Sequence, residues 1–260
     1  MTFSTPRLRL GEVLEVAGRY GYDGIELRLD SGHAHGVEVE AAPAQRAAIK
    51  RQASEAGIAL ACLATSLKFA NATAVDETLR QAHERIDLAG DVGAPAMRIF
   101  GGQLAKGFSR EQAIGLMVRS LRSVADHAAE RGVALCLETH DDWCDPAHVA
   151  AVLERVAHRA VGANWDILHP QRVCNVGIDE AFQTLKPWIR HTHVHDGDAG
   201  KKMRYLPIGQ GVIDHRRALE LLMGMSFDGY LSGEWLQWEA YEIHLPRELA
   251  TLKRYERELA

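Results

Sequence analysis

Four side chains of metal-ligand type recur at intervals of 28, 27 and 41 residues, each at the end of a short apolar run. They are Glu138 closing VALCLE (133–138), Asp166 closing GANWD (162–166), His193 closing IRHTH (189–193) and Glu234 closing GYLSGE (229–234). Each interval has the length of about one strand–helix unit. If successive strands are parallel neighbours, their C-terminal ends share one rim and these distant residues converge there. Three carboxylates and an imidazole at one point suggest a divalent-metal site.

The same alternation runs through the whole chain. Strands are expected at 2–5, 23–28, 58–63, 96–100, 133–138, 161–166, 189–195 and 229–234, with helices near 10–20, 43–56, 74–92, 109–131, 146–157, 178–187, 214–224 and 244–258. Local chemistry marks several helix ends. Ser109 with Gln112 makes a capping box, Asp145-Pro146 is a cap followed by proline, and Gly21, Gly57, Gly93 and Gly132 each stand just before a strand. Eight such units in 260 residues, with no linker or low-complexity segment, predict a single (β/α)8 TIM barrel over residues 1–260.

Composition narrows the function. A net charge of −5 and a pI near 6.2 give no bulk attraction to nucleic acid or anionic membrane. No apolar stretch approaches the ~20 residues of a membrane span, and the start MTFSTPRLRL lacks the apolar core of a signal peptide. Cys62, Cys136, Cys144 and Cys174 are scattered without CxxC spacing, as in a reduced, cytoplasmic enzyme without a structural zinc. No Gly-rich phosphate loop follows a strand, and no serine nucleophile arrangement presents itself.

Alternate strand residues face opposite ways. The apolar set should face the helices, which turns Glu26, Arg98, Glu138, Asp166, His193 and Glu234 inward near the C-terminal rim. His140 shares the parity of Glu138 and is a candidate contact for a substrate oxygen. Asp166 and His169 form Asp-x-x-His in NWDILHP, and the proline after His169 favours a fixed turn. His191, His193 and His195 alternate on one face of one strand, with His191 deepest and a candidate for a hydrogen-bonded core residue. The loop 196–214 carries Lys201, Lys202 and Arg204, either solvated or serving as a substrate lid. Taken singly, each residue has an ordinary reading: a cap, a packed histidine, an ion pair such as Glu234 with Arg98. The four ligands together favour a metal. Oxygen donors with one imidazole suit Mn²⁺, Mg²⁺, Co²⁺ or Zn²⁺.

The segments GYDGIELR, ETHDDW, NWDILHP, THVHDGD, PIGQGVID and SGEW, in this order, resemble the xylose-isomerase-like TIM barrels, in particular the sugar phosphate isomerase/epimerase group. The resemblance implies one divalent metal held by Glu138, Asp166, His193 and Glu234, with Glu138 and Glu234 as the catalytic pair that removes and returns a proton. It implies substrate contacts at His169 and, more loosely, at Arg204 and Glu26. The histidine register stays open. The His-x-Lys-Asp form of the family matches His193 to Asp196 and favours His193, whereas its His-x-His form selects His195, which otherwise faces substrate. A small-molecule sugar substrate and a possible homo-oligomer follow from the same resemblance. Two other readings share the scaffold: a metal-dependent dehydratase or lyase acting on a keto-sugar, cyclitol or 3-keto-glycoside, and a non-catalytic metal- and sugar-binding barrel. A trinuclear-zinc apurinic endonuclease is disfavoured, because the third and fourth strand ends, CLATS and RIFGG, contain no histidine.

Overall fold

The short apolar runs form parallel strands in the computed structural model, which describes residues 1–200 and 202–260. Lys201 of the basic loop lies outside the described residues. The barrel strands are β1 (Gly24–Arg28), β2 (Ala59–Lys68), β3 (Ala96–Phe100), β4 (Ala134–Glu138), β5 (Val161–Asp166), β6 (Ile189–Val194) and, after a two-stranded hairpin of β7 (Asp196–Gly197) and β8 (Tyr205–Leu206), β9 (Leu231–Gly233). Their order is β1-β2-β3-β4-β5-β6-β9, and every pairing is parallel. The covering helices are α1 (Leu10–Tyr20), α2 (Pro43–Ala56), α3 (Val75–Val92), α4 (Arg110–Glu130), α5 (Pro146–Val156), α6 (His169–Cys174), α7 (Ile178–Leu185), α8 (His215–Gly224) and α9 (Tyr241–Leu259). This is a TIM barrel with seven hydrogen-bonded strands, nearly closed.

The expected first strand, 2–5, does not form. Thr2–Ser4 is a 3-10 turn instead. Pro6 has no N–H to offer a ladder, and Thr5 closes the turn by donating to Thr2 C=O at 3.1 Å. The segment still bridges the seam between β9 and β1. The Met1 amine donates to Gly233 C=O at 2.8 Å, and Arg28 N–H donates to Thr2 Oγ1 at 2.9 Å. Two further differences matter at the rim. β2 runs to Lys68, past the expected end at 63, because Lys68 pairs with Phe100 beyond a bulge. The short helix α6 follows β5, started by the Asp166 carboxylate, which accepts from Leu168 N–H at 2.8 Å and His169 N–H at 3.0 Å.

Helix boundaries follow the local signals. Ser109 Oγ accepts from Gln112 N–H at 3.2 Å while Gln112 Oε1 accepts from Ser109 N–H at 2.9 Å. Asp145 accepts from Ala147 N–H at 2.9 Å ahead of Pro146. Gly21 ends α1 at φ 86°, a conformation that costs a side chain strain. Between strands and helices lies one core. Leu27, Leu63, Met97, Leu135, Leu137, Ala163 and Trp165 are all fully buried in it. The alternate strand residues turn into the barrel.

The loop after β6 is tied down by one side chain. The buried Asp196 carboxylate accepts from the N–H groups of Gly197, Gly209, Gly211 (2.9 Å each) and Ile213 (3.2 Å). Gly211 has to be glycine here, since a Cβ would stand 2.1 Å from Asp196 Oδ1. Among the described residues no helix is long and apolar enough to cross a membrane.

One buried histidine ties stability to pH. In the loop after β1, His35 Nε2–H donates to Arg28 C=O at 3.0 Å and its Nδ1 accepts from Val37 N–H at 3.0 Å. Burial lowers its pKa to about 4. Unfolded chains therefore bind the proton first, so this contribution is complete above the ordinary pKa near 6.5. It is lost as pH falls to about 4 and changes no further below. Denaturant melts at pH 7 and pH 4.5 should show His35→Gln losing up to about 3 kcal/mol of the wild-type pH dependence.

Candidate active site

The inward strand ends meet as parity requires. Asp166 on β5 stands opposite His193 on β6, and His193 stands opposite Ser232 on β9. His193 is at the centre. Its Nδ1 lies 2.9 Å from Glu138 Oε1 and 3.2 Å from Glu234 Oε2, and its Nε2 lies 3.1 Å from Glu26 Oε1. Glu26 in turn accepts from His191 Nε2 at 2.9 Å, so His191 is the hydrogen-bonded core residue that its depth suggested. On the far side of Glu138, Arg98 Nε stands 3.2 Å from Oε2, and Arg98 Nη1 is anchored to Thr65 C=O at 2.7 Å. Glu138, Asp166 and His193 are at most 1% exposed, and Glu234 is 8% exposed.

Charge in this enclosure is set by neighbours. Burial disfavours an imidazolium at His193, but Glu26, Glu138 and Glu234 outweigh it and raise its pKa well above the ordinary value. Burial likewise works against ionised Glu26 and Glu234, and His193 overrides it in both, aided by His191 at Glu26. Asp166 is also held ionised, burial being outweighed by His195 and His169. The site therefore gathers anionic oxygens around a point that stabilises positive charge.

The donor set fits a divalent cation. One ligand atom each from Glu138, Asp166, His193 and Glu234 lie within 4.8 Å of one another. That spacing suits donors about 2.0–2.2 Å from a shared ion. Asp166 Oδ2 and His195 Nε2 are buried without a hydrogen-bond partner, and Glu138 Oε2 has only the Arg98 ion pair. His195 Nδ1–H donates to Glu234 C=O at 3.0 Å, and its Nε2 stands 3.4 Å from Asp166 Oδ2. The His193–Glu26 hydrogen bond is the kind of outer contact that fixes the orientation of a ligating imidazole. His195 groups with Asp166 and His169 and is not in the four-residue set.

The remaining expected residues divide. His140, His169 and His195 line one wall in ring contact, His140 to His169 at 4.5 Å and His169 to His195 at 5.7 Å between centroids. Burial opposes a charged His140, yet the hydrogen bond to Asp141 and the Glu138 charge raise its pKa to about 9. Glu26 sits beneath His193, not on the open wall. Arg204 does not join the cluster. It stands on the exposed side of the β7–β8 hairpin, 81% exposed in its side chain, paired with Asp198 at 2.7 Å. Sequence reasoning passed over Asp196 as the loop anchor and Arg28 at the end of β1, although parity placed Arg28 inward. A cavity of about 350 Å³ also opens along the outer side of the β9–β1 seam, lined by Tyr22, Phe227, Tyr230 and Leu249. It holds no comparable cluster of ligand side chains.

A parallel barrel with carboxylates and an imidazole gathered at its C-terminal rim defines a class of TIM-barrel proteins. The chain belongs to the xylose isomerase-like TIM barrel family, whose sequence model matches residues 14–253. No functionally curated protein matches the sequence significantly. Among solved structures it is similar to the probable 3-DHS dehydratase of petrobactin synthesis from Bacillus anthracis, with TM-score 0.80, 20% identity and 97% of each chain covered. It is similar to an L-ribulose 3-epimerase, with TM-score 0.79, 16% identity, 99% of this chain and 94% of the other. A xylose isomerase-like protein from Mycobacterium smegmatis, solved in complex with magnesium, gives TM-score 0.75 and 18% identity over 96% of this chain and 89% of the other.

The electrostatics predict a directly measurable state. In metal-free protein at pH 8 the His193 ring should remain doubly protonated in an NMR titration. Glu26→Gln, which removes one of the three carboxylates, should lower its pKa, and a neutral wild-type ring at pH 8 would contradict the charge assignment.

Proposed function

We propose that this protein is a divalent-metal-dependent sugar or sugar phosphate isomerase/epimerase. The observation that carries the reading is the approach of Glu138 and Glu234, from β4 and from the end of β9, to the same nitrogen of His193. Glu138, Asp166, His193 and Glu234 would hold the ion, whether Mn²⁺, Mg²⁺, Co²⁺ or Zn²⁺. When bound, it supplies Lewis-acid polarisation of the substrate carbonyl and so acidifies the neighbouring C–H. The structural likeness to an L-ribulose 3-epimerase supports the same class.

The side chains divide the proton work. One glutamate oxygen takes the proton from the carbon beside the carbonyl, and the opposite glutamate returns one. Delivery to the other face of that carbon inverts it, and delivery to its neighbour isomerises the sugar. Arg98, 3.2 Å from Glu138 Oε2, orients that carboxylate. His140, kept protonated by Asp141, is suited to donate to the substrate oxygen that gains negative charge. The enclosure excludes bulk water from the proton held between the two carboxylates. His169 and His195 form the wall against which the sugar would lie.

A dehydratase or lyase is the second reading, and His140 is what favours it. With a pKa of about 9 it is an available acid for a departing hydroxyl after the same C–H cleavage. NMR in D₂O separates the two, since an epimerase incorporates deuterium without loss of mass as water.

Glu138→Gln and Glu234→Gln should each lower kcat by at least about 10²-fold while leaving the thermal transition in place. Near-wild-type turnover in either variant removes the two-glutamate mechanism. Metal analysis should find one divalent ion per chain, with EDTA abolishing activity and Mn²⁺ restoring it. Active protein free of metal would exclude the reading.

A further inference from the structure

Among the described residues three arginines are buried, and two of them pair directly with a carboxylate. Arg85 pairs with Asp30 at 2.5 Å and Arg98 with Glu138 at 3.2 Å. Arg28 has none among the described residues, although it is only 9% exposed. Its guanidinium donates to the carbonyls of Leu29 and, at 3.0 Å, Ala64, and to Ser66 Oγ at 2.5 Å, and it lies 5.8 Å over the Phe3 ring. Nε has no partner at all. Its direct acceptors are neutral, and the carboxylates of Asp30, Glu234 and Glu38 act on it only from beyond ion-pair distance, which leaves room for an anion in direct contact. Burial and then repulsion from Arg98 bring its pKa down to about 10 against the opposing pull of Asp30, Glu234 and Glu38, which leaves it charged at neutral pH.

The position is the active-site rim. Arg28 follows Glu26 by two residues and shares its inward face. Ala64 of β2 stands level with both Arg28 and Arg98, and the strand then overhangs the rim. Ser66 and Lys68 ride on that overhang at the same parity and are exposed. Lys68 packs along Gly102, where a Cβ would come 2.9 Å from its own Cβ, and it has no ion pair among the described residues. The ligand carboxylates thus stand on β4, β5 and at the end of β9, while Arg28 and Lys68, neither in a direct ion pair among the described residues, stand at the ends of β1 and β2.

We propose that Arg28, Ser66 and Lys68 form an oxyanion subsite, so that the substrate carries a carboxylate or phosphate at the end remote from the carbons served by Glu138 and Glu234. The subsite rests on the reading of the rim as a sugar-processing site and deepens it to an acidic substrate class. Arg28 offers a fixed positive charge behind the Ser66 hydroxyl, Ser66 a neutral donor, and Lys68 a mobile point charge at the entrance.

Three ligands of one skeleton test it by calorimetry on the manganese-loaded full chain: D-fructose, D-fructuronate with its C6 carboxylate, and D-fructose 6-phosphate. At least one charged ligand should bind about tenfold or more tighter than D-fructose, as one charge-assisted hydrogen bond implies. Which of the two is favoured tells carboxylate from phosphate. Arg28→Met and Lys68→Met should each reduce that preference by about tenfold. Lys68 is exposed, so its variant keeps the test intact if Arg28→Met misfolds. Charged ligands that bind no better than D-fructose, fail to bind, or keep their advantage in both variants overturn the subsite. Deuterium incorporation is read in the same samples. Exchange without charge preference rejects the subsite alone, whereas charge preference without exchange supports it and rejects the proton-transfer reading.

Discussion

Charge balance inside the barrel is the constraint to which the rest of the structure answers. Glu26, Glu138, Asp166 and Glu234 are brought together in a nearly solvent-free space, where unpaired carboxylates cost several kcal/mol each. Each is answered by a defined partner. His191 and His193 hold Glu26, Arg98 holds one oxygen of Glu138, and two backbone amides hold one oxygen of Asp166. These contacts leave the other oxygens aimed at one point. Their orientation is set before any ligand arrives, which is what acid–base chemistry at a fixed carbon requires.

The scaffold serves this arrangement from several sides. Parallel strands deliver one inward residue each to the rim, so the cluster draws on strands far apart in sequence without any long loop. Asp196 gathers four amides and fixes the course of the following loop. Met1 and Thr2 bridge the seam where an eighth strand would lie. The same division of labour places Arg28 and Lys68 at the ends of β1 and β2, away from the ligand carboxylates of β4, β5 and β9.

Much of this was legible in the chain. Helices α1 and α2 begin and end where their residues predict, because prolines and glycines act locally and little else competes. The inward set was legible because strand parity is rigid. The 3-10 turn at Thr2–Ser4 was not, since TFST alternates as a strand does and only Pro6 and a side-chain acceptor at Thr2 decide otherwise. The overhang of β2 and the helix α6 were equally hidden. The first depends on pairing with Phe100 across a bulge, and the second on Asp166 turning one oxygen back to its own chain. Arg204 looked well placed in sequence, but the hairpin that carries it turns it toward solvent and Asp198.

The sequence by itself determined the repeat, the hand of alternation and therefore which residues enter the barrel, because those follow from the two-residue period of a strand. It set His191 deepest but left His193 and His195 competing for the carboxylates, all three on one face of one strand. Tertiary structure separated them. A bulge in the pairing of β5 with β6 shifts the register after Ala163, opposing Asn164 to His191 and Asp166 to His193. Without that extra residue, Asp166 would face Thr192. The vertical offset of one strand against another arises from packing across the sheet, here with Gly162 giving room beside Trp188 and Arg190. No local pattern encodes it, and it decides which imidazole meets the carboxylates.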